Sequence, residues 1–127
     1  MAKTVILIDD DPDDLEIMTA AINAIDPTLM CSVYVQAEEA LRLLSHGLQS
    51  LPNYIFIDIN MPRKTGAQCL EHLRKVKELN DVPIIIYSTS LPERTSKTLL
   101  EAGANFTFQK PCTINDYVNV LRRILRP

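Results

Sequence analysis

The sequence predicts an α/β protein in which a doubly wound parallel sheet of five strands carries helices on both faces. Short apolar runs of strand length alternate strictly with segments whose apolar residues recur at helical spacing. The central run, residues 54–57 (Tyr-Ile-Phe-Ile), has no polar side chain to turn toward water, which is typical of a strand buried on both faces. Regular alternation of this kind favours crossover connections, and therefore parallel strands.

The chain divides into five strand–helix pairs. We expect strands at residues 5–8, 31–35, 54–57, 83–87 and 105–109, and helices at residues 12–25, 37–47, 70–79, 92–102 and 113–125. Asp11 and Pro12 are suited to the N-cap and the first position of the first helix. Gly47 is expected to end the second helix, and Thr113 to cap the last one.

Length and composition indicate one soluble domain. The chain has 127 residues, of which 46% are hydrophobic and 23% charged, so residues 1–127 are expected to form a single domain. A net charge of −3 gives no electrostatic reason to expect nucleic acid or an anionic membrane as a partner. Three widely spaced cysteines form no disulfide or zinc pattern, and no apolar stretch is long enough to span a bilayer. We therefore expect a cytoplasmic protein.

Polar residues follow four of the five predicted strands. Asp9 and Asp10 come after the first strand, Asp58 after the third, Ser88 after the fourth and Lys110 after the fifth. Parallel strands bring their carboxyl ends to one edge of the sheet, which is where open α/β sheets bind ligands. The second strand contributes no such group, so we expect it at an edge of the sheet.

This set of residues suits phosphoryl transfer. Three carboxylates at one edge repel one another, and a divalent cation held by oxygen ligands, such as Mg²⁺, removes that repulsion. A carboxylate beside the cation can then attack a phosphoryl group, whose charged oxygens need counter-charges and donors such as Lys110 and Ser88. Taken singly, each residue is explained equally well as a helix cap, a turn residue or a solvated charge. Their joint placement favours Asp58 as a phosphoryl acceptor.

The motifs that carry these residues resemble the receiver domain of two-component response regulators. They are residues 8–12 (Ile-Asp-Asp-Asp-Pro), 57–62 (Ile-Asp-Ile-Asn-Met-Pro), 88–89 (Ser-Thr) and 110–111 (Lys-Pro). The resemblance covers nearly the whole chain. It implies a flavodoxin-like fold with strand order 2-1-3-4-5. It also implies a histidine kinase or histidine phosphotransfer protein as phosphodonor, and a downstream protein that reads the signal, because the chain ends at Pro127 without a further domain.

The resemblance also assigns a role to each site residue. Asp58 is the phosphoacceptor, Ser88 hydrogen-bonds the phosphoryl group and Lys110 pairs with it. The expected ligands of Mg²⁺ are Asp58, Asp10, which binds directly, and the backbone carbonyl of Asn60. Asp9 is expected to act mainly through water. The peptide bond between Lys110 and Pro111 is expected to be cis, a form that costs little only before proline.

The sequence departs from the family pattern at three places. Thr107 stands where the family often has an aromatic residue in strand five, Thr89 stands where a smaller residue is common, and residues 63–66 form a more basic loop. Two other classes of function remain possible on the residues alone. The first is a metal-dependent phosphohydrolase that resembles haloacid dehalogenases, but such an enzyme would need a second aspartate where Asn60 stands. The second is a receiver-like module that is never phosphorylated, but such a module would not need the acidic pair Asp9 and Asp10 or Lys110.

Overall fold

The computed structural model describes residues 3–46 and 50–125. Five parallel strands form one sheet in the order β2-β1-β3-β4-β5, which confirms the predicted α/β fold and places β2 at an edge. The strands are β1 (Lys3–Ile8), β2 (Leu29–Tyr34), β3 (Tyr54–Asp58), β4 (Ile84–Ser88) and β5 (Phe106–Gln109). The helices are α1 (Pro12–Ile25), α2 (Ala37–Ser45), α3 (Gly66–Arg74), α4 (Glu93–Glu101) and α5 (Ile114–Ile124).

Alternating side chains of each strand build two separate hydrophobic cores. Ile6, Ile55 and Ile86 point to the face covered by α2, α3 and α4. Their neighbours Phe56 and Tyr87 point to the face covered by α1 and α5. Because both faces are covered, residues 55–57 of β3 and 84–87 of β4 are fully buried, and the strand ends are the places where polar groups can meet solvent.

The helix starts follow local hydrogen-bonding signals. Asp11 caps α1 by accepting from the backbone N–H of Asp13, and Thr113 caps α5 by accepting from that of Asp116, so both predicted caps are confirmed. Helix α3 begins at Gly66, four residues before the predicted start, because Thr65 and Gln68 form a capping box there. The prediction that Gly47 ends α2 falls outside the described residues.

Gly66 brings the start of α3 against the end of β3. Its backbone N–H donates to the carbonyl oxygen of Ile59 at 2.9 Å. A Cβ atom at this position would lie 2.7 Å from the carbonyl oxygen of Asp58 and 2.8 Å from Cα of Ile59, both of them backbone atoms. Only glycine therefore permits this approach, which fixes the loop that follows Asp58.

Two further features of the described chain concern the sequence predictions. No peptide bond between described residues is cis, so the expectation for Lys110 and Pro111 is wrong. The trans form is the one that a prolyl amide intrinsically favours, by about 0.5–1 kcal/mol. No helix of residues 3–46 and 50–125 has the length and apolarity that crossing a bilayer requires.

Candidate functional site

The carboxyl ends of β1 and β3 place three aspartates together. One carboxylate oxygen from each of Asp9, Asp10 and Asp58 lies within 4.8 Å of those of the other two. Asp9 and Asp58 are buried, whereas Asp10 is exposed. The parallel pairing of β1 with β3 produces this arrangement, because Ile8 and Ile57 are partners and the residue that follows each of them is an aspartate.

Lys110 reaches into the cluster from the end of β5. Its Nζ atom lies 3.4 Å from Oδ1 of Asp58 and 3.2 Å from Oδ2 of Asp9. A third partner is Asp14 in the first turn of α1, whose Oδ2 atom is 2.6 Å from Nζ. The side chain of Lys110 is only 7% exposed, so these carboxylates, and not water, provide most of its solvation. The sequence indicated Lys110 but not Asp14, which has the pattern of an ordinary acidic residue at a helix start.

Asp9 is held on both carboxylate oxygens. Its Oδ1 atom accepts from the backbone N–H of Asp11 at 3.0 Å, and its Oδ2 atom accepts from the hydroxyl of Tyr87 at 2.9 Å. Tyr87 is fully buried in β4, and the pKa of its hydroxyl is raised by burial and by the neighbouring Asp9, so the phenol is neutral and donates. Sequence reasoning missed Tyr87 because it stands in an apolar run.

Ser88 and Asn60 form a linked pair beside the acidic cluster. Ser88 is fully buried at the end of β4, and its Oγ atom accepts from the side-chain amide of Asn60 at 3.0 Å. The backbone N–H of Ser90 also points to Oγ, at 3.4 Å. The hydroxyl of Ser88 is therefore anchored as an acceptor, and its own hydrogen remains available to an incoming oxygen.

The charges of the cluster are strongly coupled. Burial raises the pKa of Asp58 to about 6, repulsion from Asp9 adds to this, and Lys110 acts in the opposite sense. Burial likewise raises the pKa of Asp9, against the hydrogen bond from Asp11 and the charge of Lys110. Burial alone would lower the pKa of Lys110, but Asp14, Asp9 and Asp58 more than offset it and hold the pKa above its ordinary value. Lys110 is therefore a permanent cation.

The raised pKa of Asp58 predicts a pH-dependent cost to folding. In the folded protein the carboxyl group of Asp58 stays protonated up to a pH of about 6, whereas an ordinary aspartate is protonated only up to about 3.8. The folded state therefore binds the proton more tightly than the unfolded state, and the free energy of unfolding falls as the pH rises through that interval. We expect Asp58→Asn, which lacks this loss, to become progressively more stable than the wild type over the same interval. Urea unfolding in buffer with a chelator measures the difference, and a difference that does not change with pH contradicts the assignment.

The three aspartates fit a divalent metal ion. Carboxylate oxygens are the ligands that hard cations such as Mg²⁺ and Mn²⁺ prefer. Burial and then repulsion from Asp9 raise the pKa of Asp58 in spite of the nearby charge of Lys110, so a further cation would stabilise this carboxylate. The donor set and its unbalanced charge are thus both of the kind that a bound cation satisfies.

The three departures from the family pattern have defined places. Thr107 is half-buried, and its hydroxyl is hydrogen-bonded to that of Ser96 in α4. Thr89 is exposed and borders an open depression of about 440 Å³ that also reaches Lys110. In the basic loop, Arg63 adopts φ +70°, in the left-handed region, which is uncommon for a residue other than glycine.

Comparison with known proteins agrees with this geometry. The family model described as response regulator receiver domain matches residues 5–122. A probable C4-dicarboxylate response regulator, DctR of Bacillus subtilis, is 29% identical over 107 residues, which cover 84% of this chain and 45% of that protein. The chain spans about half the length of the curated relatives that it matches.

Solved structures share the fold at low identity. The phosphorylated cyanobacterial phytochrome response regulator RcpA superposes with a TM-score of 0.85 at 20% identity, covering 98% of this chain and 91% of that one. The Mn²⁺-bound form of response regulator Rcp1 has a TM-score of 0.82 at 20% identity, covering 96% and 91%. With the family model extending over nearly all of the sheet and helices, the chain belongs to the response regulator receiver domain family of two-component signalling.

Proposed function

We propose that the protein is a phosphorylation switch in which Asp58 accepts a phosphoryl group from a histidine kinase or a histidine phosphotransfer protein. The observation that carries this proposal is the arrangement around Asp58: two further aspartates and one buried lysine converge on it at one edge of the sheet. The modified Asp58 then changes how the protein contacts a downstream partner.

The proposed transfer step uses the groups of the cluster in distinct roles. An oxygen of Asp58 attacks the phosphorus atom, and the bond between phosphorus and the donor's imidazole nitrogen breaks. Lys110 pairs with the incoming negative oxygens, and the hydroxyl of Ser88 donates to one of them. Asp58, Asp10 and the backbone carbonyl of Asn60 would hold Mg²⁺, with Asp9 acting mainly through water, and the ion would supply positive charge to the phosphoryl oxygens.

The side chain of Asn60 argues against a phosphohydrolase. A hydrolase of the alternative class needs an acid or base two residues after the nucleophile, and an amide cannot exchange a proton in that role. In this protein the amide of Asn60 donates to Ser88 instead. The proposed activity is thus self-phosphorylation, followed by slow loss of the group, without turnover of a free substrate.

Asp10→Asn is expected to lose most of the Mg²⁺ affinity and, with it, uptake of a phosphoryl group from acetyl phosphate. Asp10 is the exposed member of the cluster and the one not held by Lys110, so its charge is free for a cation. Calorimetric titration measures Mg²⁺ binding, and intact-mass measurement with Mg²⁺ or with chelator measures uptake. Asp13→Asn, three residues further along the chain, is the control. Equal affinity in wild type and Asp10→Asn would remove Asp10 from the metal site.

The conformational signal is proposed to pass through Ser88. Attraction of its hydroxyl to the phosphoryl group moves the loop before α4, since Ser88 is joined to Ser90 by a hydrogen bond. The inward movement of an aromatic side chain in strand five is not expected here, because position 107 is a threonine. Its hydroxyl is hydrogen-bonded to that of Ser96.

Ser88→Ala is therefore expected to uncouple phosphorylation from loop movement, whereas Thr107→Ala should leave the coupling nearly unchanged. Couplings of this kind are typically about 1–3 kcal/mol, enough to measure. The test is amide NMR of residues 88–100 and 105–109 before and after phosphorylation, with Ser90→Ala as a matched control. Shifts that persist in Ser88→Ala and disappear in Thr107→Ala would place the signal in β5.

A further inference from the structure

Tyr87 introduces a hydroxyl into the acidic cluster from inside the core. The residue is fully buried in β4 and is paired with Asp58 across the sheet. Its hydroxyl donates to Oδ2 of Asp9 at 2.9 Å, and that carboxylate is itself fully buried. Burying a phenol hydroxyl is costly unless the hydroxyl finds a hydrogen-bond partner, and at this position the partner is Asp9.

The ring of Tyr87 is fixed by two neighbouring aromatic residues. It stacks on Phe108 of β5 with centroids 5.4 Å apart and planes inclined by 10°. Phe108 in turn meets Tyr117 of α5 edge to face, at 6.5 Å and 89°. A tyrosine side chain has only two rotatable angles, so a packed ring holds its hydroxyl at one place in the site.

The same residue contacts the lysine of the site. Nζ of Lys110 lies 5.2 Å from the centroid of the Tyr87 ring, while it also lies 3.2 Å from Oδ2 of Asp9. Asp9 thus has Tyr87 and Lys110 on one oxygen and the backbone of Asp11 on the other. Without the hydroxyl, Oδ2 would keep only the lysine as a partner, and the carboxylate would be held less firmly.

We propose that Tyr87 is a positioning residue of the metal and phosphoryl site, which sets the orientation of Asp9 toward Mg²⁺. The inference rests on the proposed function, since it concerns the same site. The outer partners that orient metal-binding carboxylates typically change metal affinity by 10- to 100-fold when removed. Tyr87 is such a partner for Asp9, and its ring also limits where Lys110 can stand.

Tyr87→Phe removes the hydroxyl and keeps the ring stack. We expect Mg²⁺ to bind about tenfold more weakly to this variant in a calorimetric titration. Tyr117→Phe removes the same atom from the neighbouring aromatic cluster without touching Asp9, and should stay within about twofold of the wild type. The ¹³Cγ resonance of Asp9, recorded without metal, should shift in Tyr87→Phe and not in Tyr117→Phe.

A double-mutant cycle separates positioning from general damage to the fold. In the Asp9→Asn background, the effect of Tyr87→Phe on Mg²⁺ affinity should shrink to within about twofold, because the two residues act as one unit. An undiminished effect in that background overturns the inference. Equal Mg²⁺ affinity of wild type and Tyr87→Phe overturns it as well, while leaving the proposed function intact. A wild-type protein that does not bind Mg²⁺ overturns both.

The wild-type protein offers a test that does not depend on a variant folding. The hydroxyl proton of Tyr87 should be protected from exchange with water and give a resolved NMR signal. Its protection should persist when Mg²⁺ saturates the site, because the proposed role requires the hydrogen bond in the metal-bound state. Loss of the protected signal on saturation with Mg²⁺ overturns the inference.

Discussion

Replacing Lys110 by methionine is expected to lower the free energy of unfolding near neutral pH by about 3–5 kcal/mol. Methionine preserves most of the volume and the apolar stem but removes the charge. Asp9 and Asp58, both buried, and the partly buried Asp14 would then repel one another without a cation between them. The loss should exceed that of an ordinary surface substitution several-fold, because burial prevents water from screening the repulsion.

Urea unfolding of metal-free protein measures this effect. Lys75→Met is the matched control, since Lys75 forms an ion pair with Glu71 in which both side chains are more than 70% exposed. Its removal should change stability by no more than about 0.5 kcal/mol. Adding Asp58→Asn to Lys110→Met should recover part of the loss, because one of the repelling charges is gone. If Lys110→Met is as stable as Lys75→Met, the buried charge balance that we describe is not important for folding.

Asp58→Asn is expected to abolish covalent uptake of the phosphoryl group. An amide oxygen is a far weaker nucleophile than a carboxylate, and the change leaves the shape of the site intact. Intact-mass measurement after incubation with acetyl phosphate and Mg²⁺ should show one added phosphoryl group in the wild type and none in the variant. The same result is expected with a purified histidine kinase and ATP.

Asp11→Asn is the matched control for this loss. Asp11 follows Asp9 and Asp10 in the loop after β1 and caps α1, and asparagine caps a helix equally well. Asp11→Asn should therefore accept the phosphoryl group as the wild type does. A persistent adduct on Asp58→Asn would move the acceptor to another residue, and loss of the adduct in both variants would indicate general damage to the site.

The fold was predictable because a parallel sheet with helices on both faces imposes a simple pattern on its strands. Residues 54–57 and 84–87 must be apolar on both faces, and they are. The polar residues that follow such strands must then cluster, which predicted the proximity of Asp9, Asp10 and Asp58. These inferences need only the local sequence and the rule that parallel strand ends share one edge.

The contacts that could not be predicted join elements far apart in the chain. Asp14 meets Lys110, 96 residues away, and Tyr87 meets Asp9, 78 residues away. Arg74, on a helix that looked ordinary, donates to the carbonyl oxygens of Gly103, Leu79 and Val82. Such contacts depend on the exact packing of helices on the sheet, which no short-range pattern encodes.

Some misses had a local signal. The residues 65–68 (Thr-Gly-Ala-Gln) have the spacing of a capping box, which would have placed the start of α3 correctly. The prediction for Thr107 rested on its small side chain alone. In the structure its hydroxyl also forms a hydrogen bond with that of Ser96.

Locating the phosphoryl group in the chain decides whether Asp58 is the acceptor. Wild-type protein phosphorylated by acetyl phosphate with Mg²⁺ can be reduced with borohydride, which converts an aspartyl phosphate to homoserine, and then digested and sequenced by mass spectrometry. We predict homoserine at position 58 alone, and none when a chelator replaces Mg²⁺. Homoserine at position 9 or 10, or a phosphoryl group retained on Ser88 or Thr89, would contradict the assignment of Asp58 as the acceptor.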